Sequence, residues 1–151
     1  MDNKKSLQIH MEMGMLISSA HKGMMRKFVQ NSQEDGIDIS LDQWMVLGPI
    51  WQLGNPSQKQ LSDICLKDKG SITRILDILE KKSLVVRVAD QIDSRIKRIV
   101  LTNNGKELFV DAVPIMEKTR QQIKKYISEE EIEIFKKVLI KINKSLDEEI
   151  S

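Results

Sequence analysis

The stretch SQKQLSDICLKDKGSITRILDILEKKSLVVRVADQIDSRIKRIVL, residues 57–101, decides the fold of this chain. Ser57 is followed three residues later by Gln60, a capping box that predicts the start of a helix. Helical spacing then gives this short helix an apolar stripe of three residues: Leu61, Ile64 and Cys65. A break over residues 66–70 separates it from a second helical segment.

The second helix begins at Asp68, whose carboxylate can cap it. Four apolar residues at helical spacing form its buried face: Ile72, Ile75, Leu76 and Leu79. Two short helices joined by a tight turn predict a helix-turn-helix. The opposite face would meet a partner, and it carries Arg74, Asp77 and Lys81, flanked by Ser71 and Thr73.

Two β-branched runs follow the second helix, LVVRV at 84–88 and RIVL at 98–101. They predict a hairpin with a long loop, ADQIDSRIK, at 89–97. The loop region is strongly charged and contains Asp90, Asp93, Arg95, Lys97 and Arg98. A helix-turn-helix followed by a charged hairpin predicts a winged helix, whose helix enters a major groove and whose wing arginine enters a minor groove.

These elements predict specific contacts to double-stranded DNA. We expect three residues of the second helix to face the major groove: Ser71, Thr73 and Arg74. Arg74 could read a guanine edge, while the two hydroxyls could meet phosphates or bases. Arg95 is expected in the minor groove, with Asp93 orienting its guanidinium. Surface solvation is the alternative for Arg74 and Arg95. Phosphate contacts, or merely solvated charge, are expected of four further residues: Lys67, Lys69, Lys97 and Arg98.

The charge of the chain is concentrated around this stretch. The net charge of all 151 residues is +2, with 30% charged and only 4% aromatic residues, which is typical of a helical protein with solvated faces. Residues 59–106 hold eleven basic and six acidic residues, a net charge of +5. The positive field is therefore local to the predicted DNA-binding face.

Three segments resemble successive motifs of the MarR family of bacterial transcription regulators: SLDQWMVL at 40–47, SITRILDILEKKSLVVRVADQIDSR at 71–95 and IVLTNNGKEL at 99–108. The resemblance spans about residues 7–149. It implies a homodimeric repressor that binds a pseudo-palindromic operator and is released by a small effector. The chain departs from the family pattern at Ser83, usually Gly, at Ile78, often Arg, and at Ser94, where the wing usually has a second Arg.

The fold class expected is mainly α with a small β-hairpin wing, in a single MarR-like domain over residues 1–151. A winged helix-turn-helix DNA-binding lobe covers 40–101, and a helical dimerisation lobe covers 6–31 and 103–150. Ser40 with Gln43 and Ser128 with Glu131 form further capping boxes, and Thr102 caps a helix expected to reach about Ile127.

Two helices of the predicted dimerisation lobe carry apolar residues at helical spacing. The first has Ile9, Met13, Leu16, Ala20, Met24 and Phe28, and the last has Ile132, Phe135, Val138, Leu139, Ile142, Leu146 and Ile150. So many apolar residues at both chain ends favour a homodimer. The alternative is that these helices pack only within one monomer.

Five of the eight methionines lie between Met11 and Met25. They belong either to ordinary core and subunit contacts or to a plastic pocket wall for apolar ligands. The family resemblance implies a small aromatic or apolar effector between the two lobes. The candidate pocket residues are Met13, Ile17, Trp44, Leu47 and Trp51, although the two tryptophans have a purely structural alternative.

The sequence lacks the motifs of hydrolases, metalloproteases and nucleotide-binding enzymes, so we expect no enzymatic activity, no metal and no cofactor. Cys65 is either a small core residue or a redox sensor, and as the single cysteine it excludes an intrachain disulfide. The absence of a long apolar run or a signal peptide predicts a cytoplasmic protein away from membranes. The alternative function is a winged-helix interaction dimer without specific DNA readout.

Overall fold

The computed structural model describes residues 3–148, with side chains from Met11 to Asp147 and that of Lys5. The elements are α1 Asn3–Glu34, α2 Leu41–Leu53, α3 Gln58–Ile64, α4 Lys69–Lys81, β1 Val85–Ala89, β2 Lys97–Leu101, α5 Asn103–Lys124 and α6 Glu129–Glu148. The expected class, mainly α with a small hairpin, is confirmed. Ile150 and the side chain of Ile9 lie outside the described part.

The chain divides into two compact units, residues 1–119 and 120–151, so the division falls within α5. The expected DNA-binding and dimerisation lobes are a division by function and stay a prediction. None of the helices over residues 3–148 is both long enough and apolar enough to cross a lipid bilayer.

Three helices of the first unit begin at the caps expected from the sequence. Ser40 and Ser57 accept hydrogen bonds from the backbone N–H groups of Gln43, at 3.2 Å, and Gln60, at 3.1 Å. Each glutamine side chain accepts the N–H of its serine in return, which completes both capping boxes. Asp68 accepts the N–H of Ser71 at 2.8 Å and caps α4.

The wing is an antiparallel hairpin in which Val85 pairs with Leu101 and Ala89 with Lys97. Its loop is therefore residues 90–96, and the expectation that Lys97 and Arg98 belong to the loop is wrong. The pairing extends the strands because Val88 and Ala89 find backbone partners opposite Arg98 and Lys97. The chain before α3 joins the hairpin through the Ile99 N–H, which donates to the Pro56 carbonyl at 2.9 Å.

The core of the first unit gathers one apolar face from each of its elements. Fully buried members include Phe28, Val46, Leu47, Ile50, Leu61, Ile72, Leu76, Leu79 and Ile99. Three of the four residues of the predicted stripe on α4 are thus buried, and the fourth, Ile75, is half-buried against the same core. The stripe on α3 is only partly right: Leu61 is buried, but Ile64 is 50% exposed, because α3 ends there and Leu66 turns the chain with a φ of +52°.

The second unit consists of the end of α5 and α6. Helix α5 ends at Lys124, three residues before the expected Ile127, whose N–H donates to the Lys124 carbonyl in a closing turn. The Ser128–Glu131 capping box begins α6 as expected. Large apolar side chains of α6 lie exposed: Ile134, Phe135, Val138, Ile140 and Leu146.

Candidate nucleic-acid interface

The first turn of α4 carries a chain of hydrogen-bonded side chains. The Ser71 hydroxyl donates to the Asp68 carboxylate at 2.6 Å and accepts from Nη2 of Arg74 at 3.1 Å. The hydrogen bonds from the side chain and backbone of Ser71 lower the pKa of Asp68. Arg74 is exposed, as expected, but its guanidinium is held at the amino-terminal end of the helix.

Thr73 is half-buried, and its hydroxyl forms two hydrogen bonds within the first unit. Oγ1 donates to the Lys69 carbonyl at 2.8 Å and accepts from Nε2 of Gln58 at 2.6 Å. Thr73 therefore joins α4 to the first residue of α3. Gln58 was not among the predicted residues, and no sequence motif marks it, because its role depends on how the two helices pack.

The wing loop is closed around the Asp90 carboxylate. Oδ1 accepts the backbone N–H groups of Ile92, at 2.9 Å, and Asp93, at 3.0 Å, while Oδ2 accepts from Nε of Arg98 at 2.7 Å. The Asp93 N–H, the Arg98 guanidinium and the Ile92 N–H together lower the pKa of Asp90 to about 2. This carboxylate fixes the backbone of the loop tip.

Arg95 lies on the outer side of this loop with 89% of its side chain exposed. It donates from Nε to Oδ1 and from Nη2 to Oδ2 of Asp93, both at 3.0 Å. This bidentate pair lowers the pKa of Asp93 and raises that of Arg95. The predicted contact between the two side chains is present, and it holds the guanidinium in one orientation.

Two of the cations expected at phosphates make ion pairs within the fold. Lys67 is half-buried and contacts Asp42 at 2.9 Å. Arg98, besides its pair with Asp90, donates from Nη1 to Oε1 of Gln60 at 3.3 Å. Both side chains tie neighbouring elements together, Lys67 to α2 and Arg98 to α3.

Arg87 of the first wing strand neutralises part of the predicted partner-facing surface of α4. Its Nη2 lies 2.7 Å from Oδ1 of Asp77, and its Nη1 lies 2.6 Å from Oε2 of Glu80. Only 18% of the Arg87 side chain is exposed. The Asp77 carboxylate thus pairs with the wing strand while its side chain is 53% exposed, and its contact with an external partner stays a prediction.

A cleft of about 570 Å³ lies between α3, the start of α4 and the wing, and we name it the cationic cleft. It is lined by Ser57, Gln58, Lys59, Ser62, Asp63, Lys69, Arg95, Ile96 and Lys97. Four cations face one carboxylate there, so the cleft complements a chain of phosphates. It brings together three predicted residues: Lys69, Arg95 and Lys97.

The candidate effector residues differ in burial and in the side chains that they contact. Trp44 and Trp51 both stack on the ring of Phe109, with centroid distances of 4.5 and 5.0 Å. Leu47 is fully buried in the core, whereas Met13 and Ile17 are exposed by 48% and 37%. Phe109 was not predicted, because nothing in its sequence neighbourhood distinguishes it from other apolar residues of α5.

Cys65 is half-buried, with Sγ 3.7 Å from the Met45 carbonyl oxygen. Burial raises the pKa of its thiol, against the smaller opposing effect of Lys67. A thiol in this environment is mostly protonated at neutral pH, which favours the core interpretation over that of a redox sensor.

A capped helix-turn-helix followed by a hairpin whose tip carries an exposed arginine defines the winged helix-turn-helix class. Residues 39–97 match the model of the MarR family. The resemblance predicted from the sequence motifs is confirmed over these residues, which hold α2, α3, α4, β1 and the wing loop and are less than half of the chain.

Solved structures of similar proteins agree in fold. A cysteine-to-serine mutant of E. coli MarR complexed with operator DNA is 23% identical, with a TM-score of 0.77 over 87% of this chain and 93% of that one. A probable transcriptional regulator from Pseudomonas aeruginosa is 22% identical, with a TM-score of 0.76 over 85% and 95%. Bordetella bronchiseptica BpsR, whose DNA binding is regulated by 6-hydroxynicotinic acid, is 21% identical, with 0.76 over 86% and 91%. Identities this low show the fold alone.

Proposed function

We propose that this chain is a homodimeric, sequence-specific DNA-binding transcription regulator that represses from a pseudo-palindromic operator and catalyses no reaction. The observation that carries the proposal is the cationic cleft. It joins Lys69, at the start of the recognition helix, to Arg95 and Lys97 of the wing. A phosphate chain passing along this cleft would leave α4 at the major groove and the wing tip at the adjacent minor groove.

Arg74 is the proposed base-reading residue of α4. It is exposed, and its hydrogen bond to Ser71 places the guanidinium near the end of the helix that enters a groove first. Arginine donates two parallel hydrogen bonds to the edge of a guanine in the major groove. Ser71 and Thr73 already use their hydroxyls within the lobe, so we assign them to positioning and to phosphate contacts.

Arg95 is the proposed minor-groove residue. Narrow A·T tracts concentrate negative potential and attract an arginine inserted from a wing. The bidentate pair with Asp93 reduces the rotamer freedom that Arg95 would otherwise lose on binding. Lys69 and Lys97 are proposed phosphate contacts, whereas Lys67 and Arg98 act mainly through their ion pairs inside the lobe.

The proposed dimer rests on apolar surface at both ends of the chain. Helix α1 exposes Met11, Met13, Met15, Leu16 and Ile17, and α6 exposes Ile134, Phe135, Val138, Ile140 and Leu146. Surfaces of this size and character are rare on monomeric proteins. A second copy of the chain would cover them and would set two recognition helices about one turn of DNA apart.

Release by an effector is the remaining part of the proposal. It is supported by BpsR, a protein of the same fold whose DNA binding responds to 6-hydroxynicotinic acid. We place a small aromatic or apolar effector beside Trp51, which is 46% exposed and stacks on Phe109. Such a ligand releases DNA only if it binds the released arrangement more tightly than the bound one.

The test is selection of bound duplexes from a random DNA pool, followed by titration at several salt concentrations. We expect a palindromic sequence, a complex of two chains per duplex and an affinity that falls steeply with salt. Arg74→Ala should weaken binding by about tenfold and relax the preference at one base pair in each half-site. A flat, sequence-independent response would overturn the proposal and favour the interaction dimer, for which Ile78, 43% exposed on α4, offers an apolar contact.

A further inference from the structure

The tip of the wing presents an apolar side chain that the fold does not use. Ile92 is 98% exposed, the highest value among the large apolar residues of the described part. It lies in the loop 90–96, between Asp90, which closes the loop, and Arg95. Scattered exposed apolar residues are ordinary on protein surfaces, but an isoleucine with almost no contact contributes nothing to folding by burial.

The exposure of Ile92 is built into an ordered turn. Its N–H donates to the Asp90 carboxylate at 2.9 Å, and that carboxylate is anchored by Arg98 at 2.7 Å. The Asp90 N–H donates to the Ile96 carbonyl, and the Ile96 N–H donates to the Asp93 carbonyl, both at 2.9 Å. The backbone that carries Ile92 is therefore held in place while its side chain points into solvent.

We infer that Ile92 is a DNA-contacting residue of the wing, which places its apolar side chain against the sugar rings that line the minor groove beside Arg95. The inference rests on the proposed function and adds an apolar contact to the ionic contacts proposed there. Proteins that bind the minor groove frequently place apolar side chains in it. The walls of this groove present sugar C–H groups, which an isoleucine can contact. Such a contact releases no counterions, so its contribution does not depend on salt.

The charges around Ile92 favour DNA over another macromolecule. Arg95, 89% exposed, is three residues away, and the cationic cleft continues from it through Lys97 and Lys69. The positive charges of the cationic cleft attract a polyanion, and this attraction brings the polyanion close to Ile92 before the apolar contact forms. An apolar contact to a partner protein is the competing occupant, and it is separated by the experiment below.

The experiment compares Ile92→Ser with the wild-type protein on a fluorescein-labelled duplex recovered from the random pool. Dissociation constants are measured from 50 to 300 mM KCl, and thermal unfolding confirms that the variant is folded. We expect Ile92→Ser to weaken binding by about fivefold to tenfold at every salt concentration, the size expected for exposing part of an isoleucine. The slope of log affinity against log salt stays that of the wild type.

Two variants serve as matched controls. Gln91→Ser changes the neighbouring exposed residue of the same loop to the same side chain and should leave affinity unchanged. Ile92→Leu keeps the apolar surface and should retain binding within about twofold. Arg95→Ala, by contrast, should flatten the salt slope by about one unit, because it removes a cation.

Each result decides the matter. Equal affinities for the wild type and Ile92→Ser overturn the inference and leave a partner protein as the occupant of the wing tip. A salt slope that falls with Ile92→Ser as it does with Arg95→Ala also overturns it, since the isoleucine would then act through the arginine. Equal losses for Gln91→Ser and Ile92→Ser would assign the effect to loop shape. A wild-type protein that forms no specific complex overturns the proposed function itself.

Discussion

Arg95 and Asp93 face each other as a bidentate pair on the wing loop, with both N–O distances at 3.0 Å, although 89% of the Arg95 side chain is exposed. Two parallel hydrogen bonds fix the plane of the guanidinium as well as its position. The carboxylate lowers the local positive charge of a surface that is proposed to bind a polyanion. An Asp93 carboxylate on this surface is explained if orienting the Arg95 guanidinium contributes more to DNA binding than the added negative charge removes.

Asp93→Asn therefore separates orientation from charge. The variant is one unit more positive, so charge alone predicts tighter binding to any DNA. We expect sequence-independent binding to strengthen but specific affinity for the selected duplex to fall by about threefold, because the bidentate pair is lost. Asp63→Asn makes the same charge change in the cationic cleft and should strengthen both kinds of binding. Parallel gains for the two variants would show that Asp93 does not orient Arg95.

The Asp90 carboxylate predicts a pH dependence of wing stability. Its pKa in the folded protein is about 2, below the ordinary 3.8, so the folded state favours the charged form. The stabilisation is complete above the ordinary pKa and is lost as the pH falls from about 4 towards 2. We expect Asp90→Asn to have a lower Tm than the wild type at pH 6, and the difference to shrink across that window.

Thermal unfolding of both proteins at half-unit steps of pH measures this difference directly. Comparing the two chains cancels the titration of carboxylates distant from the wing. Asp93 is not cancelled, because the charge of Asp90 raises its pKa, against the larger lowering by Arg95. A difference in Tm that stays constant down to pH 2 would mean that the charged carboxylate does not hold the loop.

Ser83 occupies a strained backbone position, which predicts a stabilising substitution. It follows α4 with a φ of +57°, a region that residues with a Cβ rarely adopt. Its side chain is exposed, so little is lost by removing it. We expect Ser83→Gly to raise the free energy of unfolding by about 0.5–1 kcal/mol, measured by urea denaturation. Ser83→Ala keeps the Cβ and should bring no gain; an equal gain would place the effect elsewhere.

The local signals of the sequence predicted the helix starts and the recognition helix well. Ser40, Ser57, Asp68, Thr102 and Ser128 all cap helices, because capping is decided by residues three apart in the chain. The buried face of α4 follows from its apolar period for the same reason. The pairing of Asp93 with Arg95 also lies within two residues.

Relationships between elements are the part of the structure that the sequence did not predict. Arg87 neutralises Asp77 across ten residues, and Gln58 bonds Thr73 across fifteen, so neither pair has a local pattern. The predicted wing loop, residues 89–97, was too long, because strand length depends on backbone pairing. This pairing extends to Ala89 and Lys97, although Lys97 is charged. Lys67 and Arg98 are residue types that commonly bind phosphate, and the sequence therefore predicted them as DNA contacts. In the structure they form ion pairs with Asp42 and Asp90.

Gly105 and Gly48 give the sharpest contrast in packing. A Cβ on Gly105 would lie 2.0 Å from the backbone oxygen of Leu84, at the place where α5 crosses the start of the wing. Outside its own helix, a Cβ on Gly48 would meet Cε2 of Phe109 at 4.0 Å, an ordinary contact. Both glycines are in helices, where alanine is otherwise preferred by up to about 1 kcal/mol.

We therefore expect effects of different size for the same substitution. Gly105→Ala should lower the free energy of unfolding by about 2–3 kcal/mol, because a backbone carbonyl cannot move aside as a flexible side chain can. Gly48→Ala should change it by less than about 0.5 kcal/mol, because the gain in helix propensity is offset by contact of the new Cβ with Cδ of Pro49, the next residue. Urea denaturation of both variants beside the wild type measures the two values. A tolerated Gly105→Ala would mean that α5 is not held against the Leu84 carbonyl, although the Thr102 hydroxyl donates to Ser83 and the Gly105 N–H donates to Thr102 at the same junction.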